Sequence, residues 1–539
     1  MVKRSLIIVA LAAVIALPFG LRPTRPAAEH SDLTLVAITP HNEAIRTEFG
    51  LGFGQWYRQR TGKTVRLDWR VIGGTSDITR FLESEYIAAF RNYWTGRLGR
   101  PWSAEIQAGF ANPNLPATAP EVVREARRRF LASEVGCGID LFFGGGSYDF
   151  VRQAQAGRIV ASRLRRTHPE WFGDGVVPQT FSGEAYWDPE GRWFGNVLST
   201  YGILYNRDSL ARLGIAQPPR QWSDLKDPRY LGELALADPT KSSSMAKAFE
   251  NMIQQQIQER CRALQPAAGG ALTAALTAQA VREGWVAAMH LVQLIGANAR
   301  YFTDSAQKSP IDVSQGDCAA GICIDFYGRA QAEVTDLRGA GTSRLGFVTP
   351  RGGTVSSVDP IALLRGAPNP EVAEAFIEYS LSMDGQKLWN FKPGTPGGPV
   401  RFALRRLPIR QDFYAQDDWK VQRSDPEAAP FQDEGHLVYH PEWTGGIFRE
   451  MAFVVGAMCL DTHAELAAAW REIVAAGMPP QAMARLGDMS LVSYEQTTGR
   501  IRRALNAKDK VEEIRLATDL GGAFRRQYRE AADLARAGK

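Results

Sequence analysis

Short apolar runs alternate with stretches of helical periodicity after the first thirty residues. LTLVAITP (33–40) and TVRLDWRVIGG (64–74) are apolar or β-branched runs that end at Pro or Gly, which is typical of strands. EAIRTEFGLGFGQWYRQRTG (43–62) and TSDITRFLESEYIAAF (75–90) have helical character, and the second opens on good N-cap residues. This strand–helix–strand–helix alternation predicts an α/β sheet with parallel strands.

The same signals predict further elements along the chain. Val372, Ala375, Phe376 and Tyr379 follow the spacing of one helix face and predict a helix over 371–389. Beyond residue 460 the chain is typical of several helices separated by Gly and Pro. The other predicted elements are helices at 121–133 and 284–300, a strand at 138–146 and a strand within 318–330.

The N-terminal segment is typical of export. A basic start, VKR, precedes the apolar run SLIIVALAAVIALPFGL, and the best small-residue cleavage site is PAA at 26–28. Residues 1–28 are therefore predicted to be a signal peptide or, if uncleaved, an N-terminal anchor. The predicted location is periplasmic, with a membrane tether in the second case.

Composition narrows the class of protein. A chain of 539 residues is too long for one ordinary core. The formal net charge is +5, and basic residues of the N-terminal segment supply much of it, so nucleic-acid binding is not expected. Of five cysteines, Cys318 and Cys323 are close enough to close a small loop in an oxidising compartment, and two unpaired buried thiols are the alternative.

The stretch DPTKSSSMAKAFE (238–250) joins a predicted strand to a predicted helix through Thr240, Lys241, Ser242 and Ser243. The first N–H groups of a helix lack partners within it and carry partial positive charge. Small hydroxyls and a mobile cation at that point predict contact with an anion or a polar ligand oxygen. A plain serine N-cap beside a solvated lysine is the alternative.

Other strand ends carry similar small polar or glycine-rich tips. Because ligands of open α/β sheets bind outside the carboxyl ends of strands, these tips predict a cleft for a small polar solute. Asp325 has a helix cap as its alternative role, and His41 that of a satisfied histidine. The further candidates for solute binding are Thr39, His41, Asn42, Thr75, Ser76, Gly145, Gly146, Tyr201, Asp325 and Tyr327.

Signals for catalysis or metal binding are weak. HLVYH (436–440) places two histidines four residues apart, but it lacks the glutamate of a zinc protease motif. Neither a G-x-S-x-G elbow nor a Walker A sequence occurs. No catalytic residue, metal or cofactor is therefore expected.

An ordered series of segments resembles the bacterial extracellular solute-binding proteins of ABC importers, in the branch with iron, polyamine, thiamine and sugar-phosphate binders. The resemblance runs from about residue 33 to 415. It rests on TYGILYNRDSLARLG, PPRQWSDLKDPRYLGELALADPTKSSSMAKAF, GDCAAGICIDFYGRA, GFVTPRGG and GAPNPEVAEAFIEYSLSMDGQKLW.

The resemblance implies a type II periplasmic binding protein fold, in which two α/β lobes are joined by a hinge. The expected division is lobe 1 at 29–196 and 350–459, lobe 2 at 197–349, and a helical C-terminal extension at 460–539. The extension either packs on a lobe or serves another partner.

The implied function is to capture a small polar solute between the lobes and deliver it to an inner-membrane ABC permease, as a monomer. No Tyr-Tyr pair of the kind that binds iron in the family occurs, and the Ser, Thr and Gly tips favour an anionic or polyhydroxylated solute over a polyamine. The alternatives are a membrane-tethered ligand receptor subunit and an exported α/β hydrolase.

Overall fold

The computed structural model describes residues 31–268, 270–338, 344–432, 435, 437–507 and 509–538. The predicted signal peptide or anchor, and His436 of HLVYH, lie outside these residues. The strands are β1 (Leu33–Ile38), β2 (Val65–Arg70), β3 (Leu141–Phe143), β4 (Ile159–Val160), β5 (Thr180–Phe181), β6 (Glu184–Ala185), β7 (Phe194–Ser199), β8 (Tyr201–Asn206), β9 (Leu234–Ala237), β10 (Ala299–Thr303), β11 (Ala320–Ile324), β12 (Leu345–Val348), β13 (Ser357–Leu364) and β14 (Leu407–Pro408).

The α-helices surround these strands and extend beyond them to the C-terminus. They are α1 (Glu43–Thr61), α2 (Thr75–Asn92), α3 (Ala104–Gly109), α4 (Glu121–Leu131), α5 (Ser147–Ala156), α6 (Leu164–Thr167), α7 (Arg207–Arg212), α8 (Ser243–Ala268), α9 (Ala274–Asn298), α10 (Lys308–Gln315), α11 (Asp325–Arg338), α12 (Pro370–Leu381), α13 (Met383–Asn390), α14 (Gln411–Tyr414), α15 (Pro441–Thr444), α16 (Phe448–Val455), α17 (His463–Ala475), α18 (Pro480–Leu486), α19 (Tyr494–Gln496), α20 (Arg502–Asn506) and α21 (Lys510–Ala537).

The strands form two main sheets and one small hairpin. The larger sheet has the order β14-β7-β13-β3-β1-β2, with β4 paired to β13, and β1 runs parallel to both β2 and β3. The smaller sheet has the order β10-β9-β11-β8-β12. We call the unit around the larger sheet, with the β5–β6 hairpin, the first lobe, and the unit around the smaller sheet the second lobe. The predicted class of two α/β lobes is confirmed.

The chain passes between the lobes at two neighbouring crossings. Only Thr200 separates β7 of the larger sheet from β8 of the smaller one, and the chain returns between Val348 and Ser357. At the first crossing, the Tyr201 N–H donates to Thr354 Oγ1 of the second at 3.0 Å. The crossings lie beside the predicted lobe boundaries at 197 and 350, and the boundaries themselves stay a prediction.

The C-terminal helices pack on the second lobe. Trp470 of α17 is buried, and its Nε1 donates to Asn298 Oδ1 at the end of α9 at 2.9 Å. Trp285 Nε1 of α9 donates to the Val492 carbonyl at 2.8 Å. Of the two roles expected for the extension, packing on a lobe is the one observed. Among the described residues no single helix is long and apolar enough to cross a membrane, and only the bent pair Pro441–Leu460 and His463–Ala475 passes that test together.

Two predicted elements differ from the observed ones. The predicted helix over 371–389 is broken at Ser382, which adopts extended backbone and accepts from the Gly385 N–H as the cap of α13. The predicted strand within 318–330 ends at Ile324, and Asp325 begins α11. Cys318 and Cys323 are both free and buried, so the unpaired alternative is the observed one.

Candidate functional site

A cavity of about 1040 Å³ lies between the two lobes, and residues of the C-terminal region complete its wall. Most of the predicted solute-binding residues meet here although they come from distant parts of the chain. Those that line the cavity are His41, Asn42, Thr75, Gly145, Gly146, Tyr201, Lys241, Ser242, Ser243 and Tyr327.

Several helices begin at the cavity, and four of them, α1, α2, α5 and α8, follow a strand end or loop at its edge. Asn42 accepts from the Ile45 N–H as the cap of α1, and the Ser242 hydroxyl accepts from the Met245 N–H in α8. Glycines precede α2 and α5, at Gly74 and Gly146. The partly positive ends of these helices therefore converge on one space.

The helix starts differ in charge. The first turns of α1, α2 and α5 contain Glu43, Asp77 and Asp149, whereas the first turn of α8 contains no acidic residue. An acid in the first turn satisfies the positive helix end from within the chain. The start of α8 is therefore the one of the four best suited to a negative group from outside.

Some residues around the start of α8 stabilise the local fold, and others face the cavity. Thr240 lies outside the lining, because its hydroxyl donates to Asp238 at 2.6 Å. The Lys241 side chain is 43% exposed, and its Nζ lies 2.7 Å from Asp304 Oδ1. The Ser243 hydroxyl faces the cavity and lies 3.4 Å from Asp149 Oδ2 of the first lobe. Both serines line the cavity, but Ser242 caps α8 and the Ser243 hydroxyl reaches the first lobe.

The lobes approach closely at this edge. A Cβ atom added to Gly74 would lie 2.6 Å from the carbonyl oxygen of Lys241, so only glycine permits the observed spacing. Burial raises the pKa of Asp149, beside the Ser243 hydroxyl, to about 6, with hydrogen bonds from Thr79 and Ser243 opposing the shift. The cleft is closed here, across an acid that titrates at mildly acidic pH.

Three further predicted residues lie outside the lining. The Thr39 hydroxyl is buried and accepts from the His41 N–H at 3.1 Å, which fixes the turn after β1. Asp325 is buried behind the cavity and accepts from Arg329 at 2.8 Å. Ser76 lies within α2 but not on the cavity wall.

A buried ion pair that the sequence did not indicate forms part of the floor. Arg406 is fully buried, its Nη1 donates to Asp359 Oδ2 at 2.6 Å, and its guanidinium lies 4.5 Å from the ring centre of Phe326 in the second lobe. Burial raises the pKa of Asp359, but the charge of Arg406 and the hydrogen bond to His41 outweigh this and hold it well below its usual range. Asp359 is therefore ionised at any physiological pH.

His41 lies in the same network. Its Nε2 is 3.4 Å from Asp359 Oδ2, and burial lowers its pKa, with Asp359 offsetting only part of the shift. A Cβ on Gly144, where φ is +87°, would lie 2.3 Å from His41 Cε1. The glycine run after β3 therefore serves to seat this imidazole ring.

A second unpredicted cluster surrounds Lys247 of α8. Its ammonium contacts the carboxylates of Glu184 and Glu250 and the ring of Tyr439, and all four residues line the cavity. Lys247 belongs to the stretch singled out in the sequence, where its i, i+3 spacing from Glu250 was the available signal. Glu184 and Tyr439 are remote from Lys247 in sequence, and no sequence pattern indicated that they contact it.

Residues 437–448, which we call the strap, form a third connection between the lobes. The Leu437 and Tyr439 N–H groups donate to the carbonyls of Thr354 and Ser182, at 2.9 and 2.7 Å. On the second lobe, Gln254 Nε2 of α8 donates to the His440 carbonyl at 2.8 Å. The cavity wall thus includes a segment that touches both lobes.

The cavity lining mixes charges with hydroxyl groups. Its acids are Glu43, Asp77, Asp149, Glu184, Glu250, Asp304 and Asp359, and its bases are Arg46, Lys241, Lys247 and Arg406, beside His41. No group of three or more His, Cys, Asp or Glu side chains suited to a metal occurs in the described part of the chain. The acids outnumber the bases, so the lining as a whole suits a polar solute with several hydrogen-bond donors.

Residues 173–413 match the model of a family described as bacterial extracellular solute-binding protein. This confirms the resemblance found in the sequence. An uncharacterised protein of Haemophilus influenzae is 24% identical over 264 residues, which are 44% of this chain and 66% of that protein. The phosphoglycerate transport regulatory protein PgtC of Salmonella typhimurium is 25% identical over 194 residues, 36% of this chain and 39% of PgtC. The chain thus spans less than two thirds of these relatives.

Solved periplasmic binding proteins are among the structures similar to this chain. AfuA of Actinobacillus pleuropneumoniae, with fructose-6-phosphate bound, is similar over 82% of this chain and 98% of AfuA, at 16% identity and a TM-score of 0.47. Iron-bound HitA of Pseudomonas aeruginosa is similar over 79% of this chain and 99% of HitA, at 15% identity and a TM-score of 0.46.

Proposed function

We propose that this chain, whose residues 173–413 match the model of the bacterial extracellular solute-binding protein family, captures a small polar solute between its lobes and delivers it to an ABC permease. The observation that carries the proposal is the cavity of about 1040 Å³ lined from both lobes, into which several helix starts project. A cavity of this size accommodates a metabolite-sized ligand.

The proposed solute is polyhydroxylated and carries a phosphate or carboxylate. The start of α8 supplies helix N–H groups, the Ser243 hydroxyl and the nearby Lys241 ammonium for the negative group. The carboxylates at the other helix starts, such as Glu43 and Asp77, accept hydrogen bonds from solute hydroxyls. The name of the relative PgtC, which refers to phosphoglycerate transport, agrees with this class.

The setting follows from the family and from the N-terminal sequence. We infer that the protein works in the periplasm as a monomer, docks on an inner-membrane permease when closed, and does not turn over its solute. If residues 1–28 remain uncleaved, they tether it to the membrane. Fractionation of cells, with mass measurement of the N-terminus, distinguishes a released from a tethered protein.

A thermal-shift screen of the protein from residue 29 onward tests the function. The panel contains sugar phosphates, phosphonates, carboxylated sugars, amino acids, polyamines, thiamine and ferric citrate. A solute at 100 times its Kd stabilises the native state by about 2.7 kcal/mol, so one class should raise the melting temperature. Silence across the panel would overturn solute capture, and a response to polyamines alone would overturn the proposed solute class.

A further inference from the structure

The Lys247 ammonium lies in a pocket assembled from three parts of the chain. Glu184 comes from the β5–β6 hairpin of the first lobe, Glu250 lies one turn further along α8, and Tyr439 belongs to the strap. The ammonium contacts Glu184, lies 2.8 Å from Glu250 Oε2, and sits 3.9 Å from the centre of the Tyr439 ring. We call Glu184, Glu250 and Tyr439 the cage.

The two carboxylates of the cage are buried, Tyr439 is partly buried, and the cage walls have partners other than the lysine. The Glu184, Lys247 and Glu250 side chains are 4%, 12% and 1% exposed. Glu250 Oε1 accepts from the hydroxyls of Tyr439 at 2.8 Å and Thr444 at 2.6 Å, which orient this carboxylate independently of Lys247.

The backbone fixes the remaining wall. The Tyr439 N–H donates to the Ser182 carbonyl at 2.7 Å, just before β6. A Cβ on Gly183, where φ is +79°, would lie 1.9 Å from the Tyr439 carbonyl oxygen, so the hairpin and the strap touch through bare backbone. Glu184 and Tyr439 are therefore held at a set separation by contacts that do not involve Lys247.

Two desolvated carboxylates and an aromatic face are the groups that recognise an alkylammonium ion. The cage also opens on the solute cavity, because each of its members and Lys247 line that cavity. Burial lowers the pKa of Lys247, but the charges of Glu184 and Glu250 outweigh it and raise the pKa well above its usual range, so the lysine stays charged.

We propose that the cage is an alkylammonium site which the chain fills with its own Lys247, and that Lys247 thereby makes the cleft reject solutes with a primary amine. This deepens the proposed function and rests on it, since it names a solute class that the cleft excludes. The Lys247 ammonium of α8 already occupies the site. The carboxylates that would bind the amine of a solute are therefore already neutralised.

The substitution Lys247→Ala tests the cage directly, with n-propylammonium as the probe. Alanine removes Cγ, Cδ, Cε and Nζ, and n-propylammonium has the same atoms. We expect n-propylammonium to raise the melting temperature of Lys247→Ala, and to bind it at least about tenfold more tightly than wild type, since charged hydrogen bonds and a cation–π contact are each worth at least that factor when desolvated.

Two controls separate recognition from a general salt effect. Lys247→Met removes the charge but keeps the volume of the side chain, so it should not respond to n-propylammonium. Lys247→Ala with Glu184→Gln keeps the space but loses one carboxylate, so its response should fall about tenfold. Equal responses of all three variants would overturn the proposal.

Buried carboxylates without their lysine can prevent folding, so a refolding measurement accompanies the titration. If Lys247→Ala does not fold in buffer, dilution from urea into n-propylammonium chloride should recover native circular dichroism, whereas sodium chloride should not. A folded Lys247→Ala that ignores n-propylammonium, or an unfolded one that it fails to recover, overturns the cage.

The n-propylammonium experiment also distinguishes a failure of this proposal from a failure of the proposed function. n-Propylammonium binding in Lys247→Ala requires only the cage, so it can succeed even where the solute panel is silent, in which case the function fails and the cage stands. Conversely, a stabilising solute together with an unresponsive Lys247→Ala leaves the function and removes the cage. Stabilisation of wild type by putrescine or spermidine overturns the rejection of amines.

Discussion

The Ser243 hydroxyl of the second lobe lies 3.4 Å from the Asp149 carboxylate of the first, across the edge where the lobes meet. Asp149 is buried in the first turn of α5, and its other oxygen lies 3.2 Å from the Thr79 hydroxyl. The two lobes are therefore in contact through a buried carboxyl group whose pKa is about 6.

The first prediction concerns the pH dependence of stability. Because the pKa of Asp149 is about 6 in the folded protein and 3.8 is its ordinary value, the folded state binds the proton more tightly. The stability from this group is fully present below about pH 4 and is lost as pH rises to about 6, by roughly 3 kcal/mol. Urea denaturation at several pH values should show this loss in wild type and not in Asp149→Asn. A loss of stability with rising pH in Asp149→Asn as large as that in wild type would contradict this prediction.

The second prediction concerns the stretch before α8. Lys241→Ala with Ser243→Ala should lower affinity for the solute by tenfold or more, because a charged hydrogen bond contributes about 1.5–3 kcal/mol. The melting temperature should stay near wild type, since the Lys241–Asp304 pair is exposed and such pairs contribute little. The Ser243–Asp149 hydrogen bond is long at 3.4 Å, and Asp149 keeps the Thr79 hydroxyl as a donor. Lys420→Ala, at a similarly exposed ion pair outside the cavity, is the matched control. A loss of stability with unchanged affinity would mean that Lys241 and Ser243 support the fold and do not contact the solute.

The third prediction concerns the buried pair on the cavity floor. Arg406→Ala leaves the Asp359 carboxylate without its cation, and breaking a buried pair in this way costs about 3–5 kcal/mol. Adding Asp359→Asn should recover part of that loss, because the unpaired charge is gone. Chemical denaturation of both variants measures the two effects, and a double variant no more stable than Arg406→Ala would exclude the charge as the cause.

The fourth prediction concerns the C-terminal helices. Trp470→Ala should cost about 3–5 kcal/mol, because it empties a buried site and leaves Asn298 Oδ1 without this donor. Trp470→Phe keeps most of the volume and should cost less. Circular dichroism and tryptophan fluorescence should follow the same transition if the helices unfold with the second lobe. Separate transitions would show that the extension is an independent unit.

The fold class could be predicted from the sequence because the patterns that indicate strands and helices are local. Alternating strand and helix patterns predicted the α/β lobes. Small polar and glycine residues after strands predicted much of the cavity lining, including His41 and Ser243. These signals work because the carboxyl ends of parallel strands, as in β1 and β3, meet at one edge.

What escaped prediction depends on contacts between remote segments. Arg406 meets Asp359 and Phe326 only in the folded chain, and Tyr439 reaches Lys247 from almost two hundred positions away. Asp325 was assigned to a strand end because the apolar run before it continues into IDFY, whereas the helix N-terminus at that residue depends on tertiary packing. Thr240 has the right residue type, but its hydroxyl is taken by Asp238.

The strap has a consequence for how the lobes can separate. We expect two neighbouring crossings to permit twisting as well as bending, and the third attachment at residues 437–448 to restrict the twisting. The edge between Gly74 and Lys241 is held only by contacts that can part without pulling the chain. We therefore expect a narrow gate at that edge, with a slow exchange of solute through it, rather than a wide opening of the whole cleft.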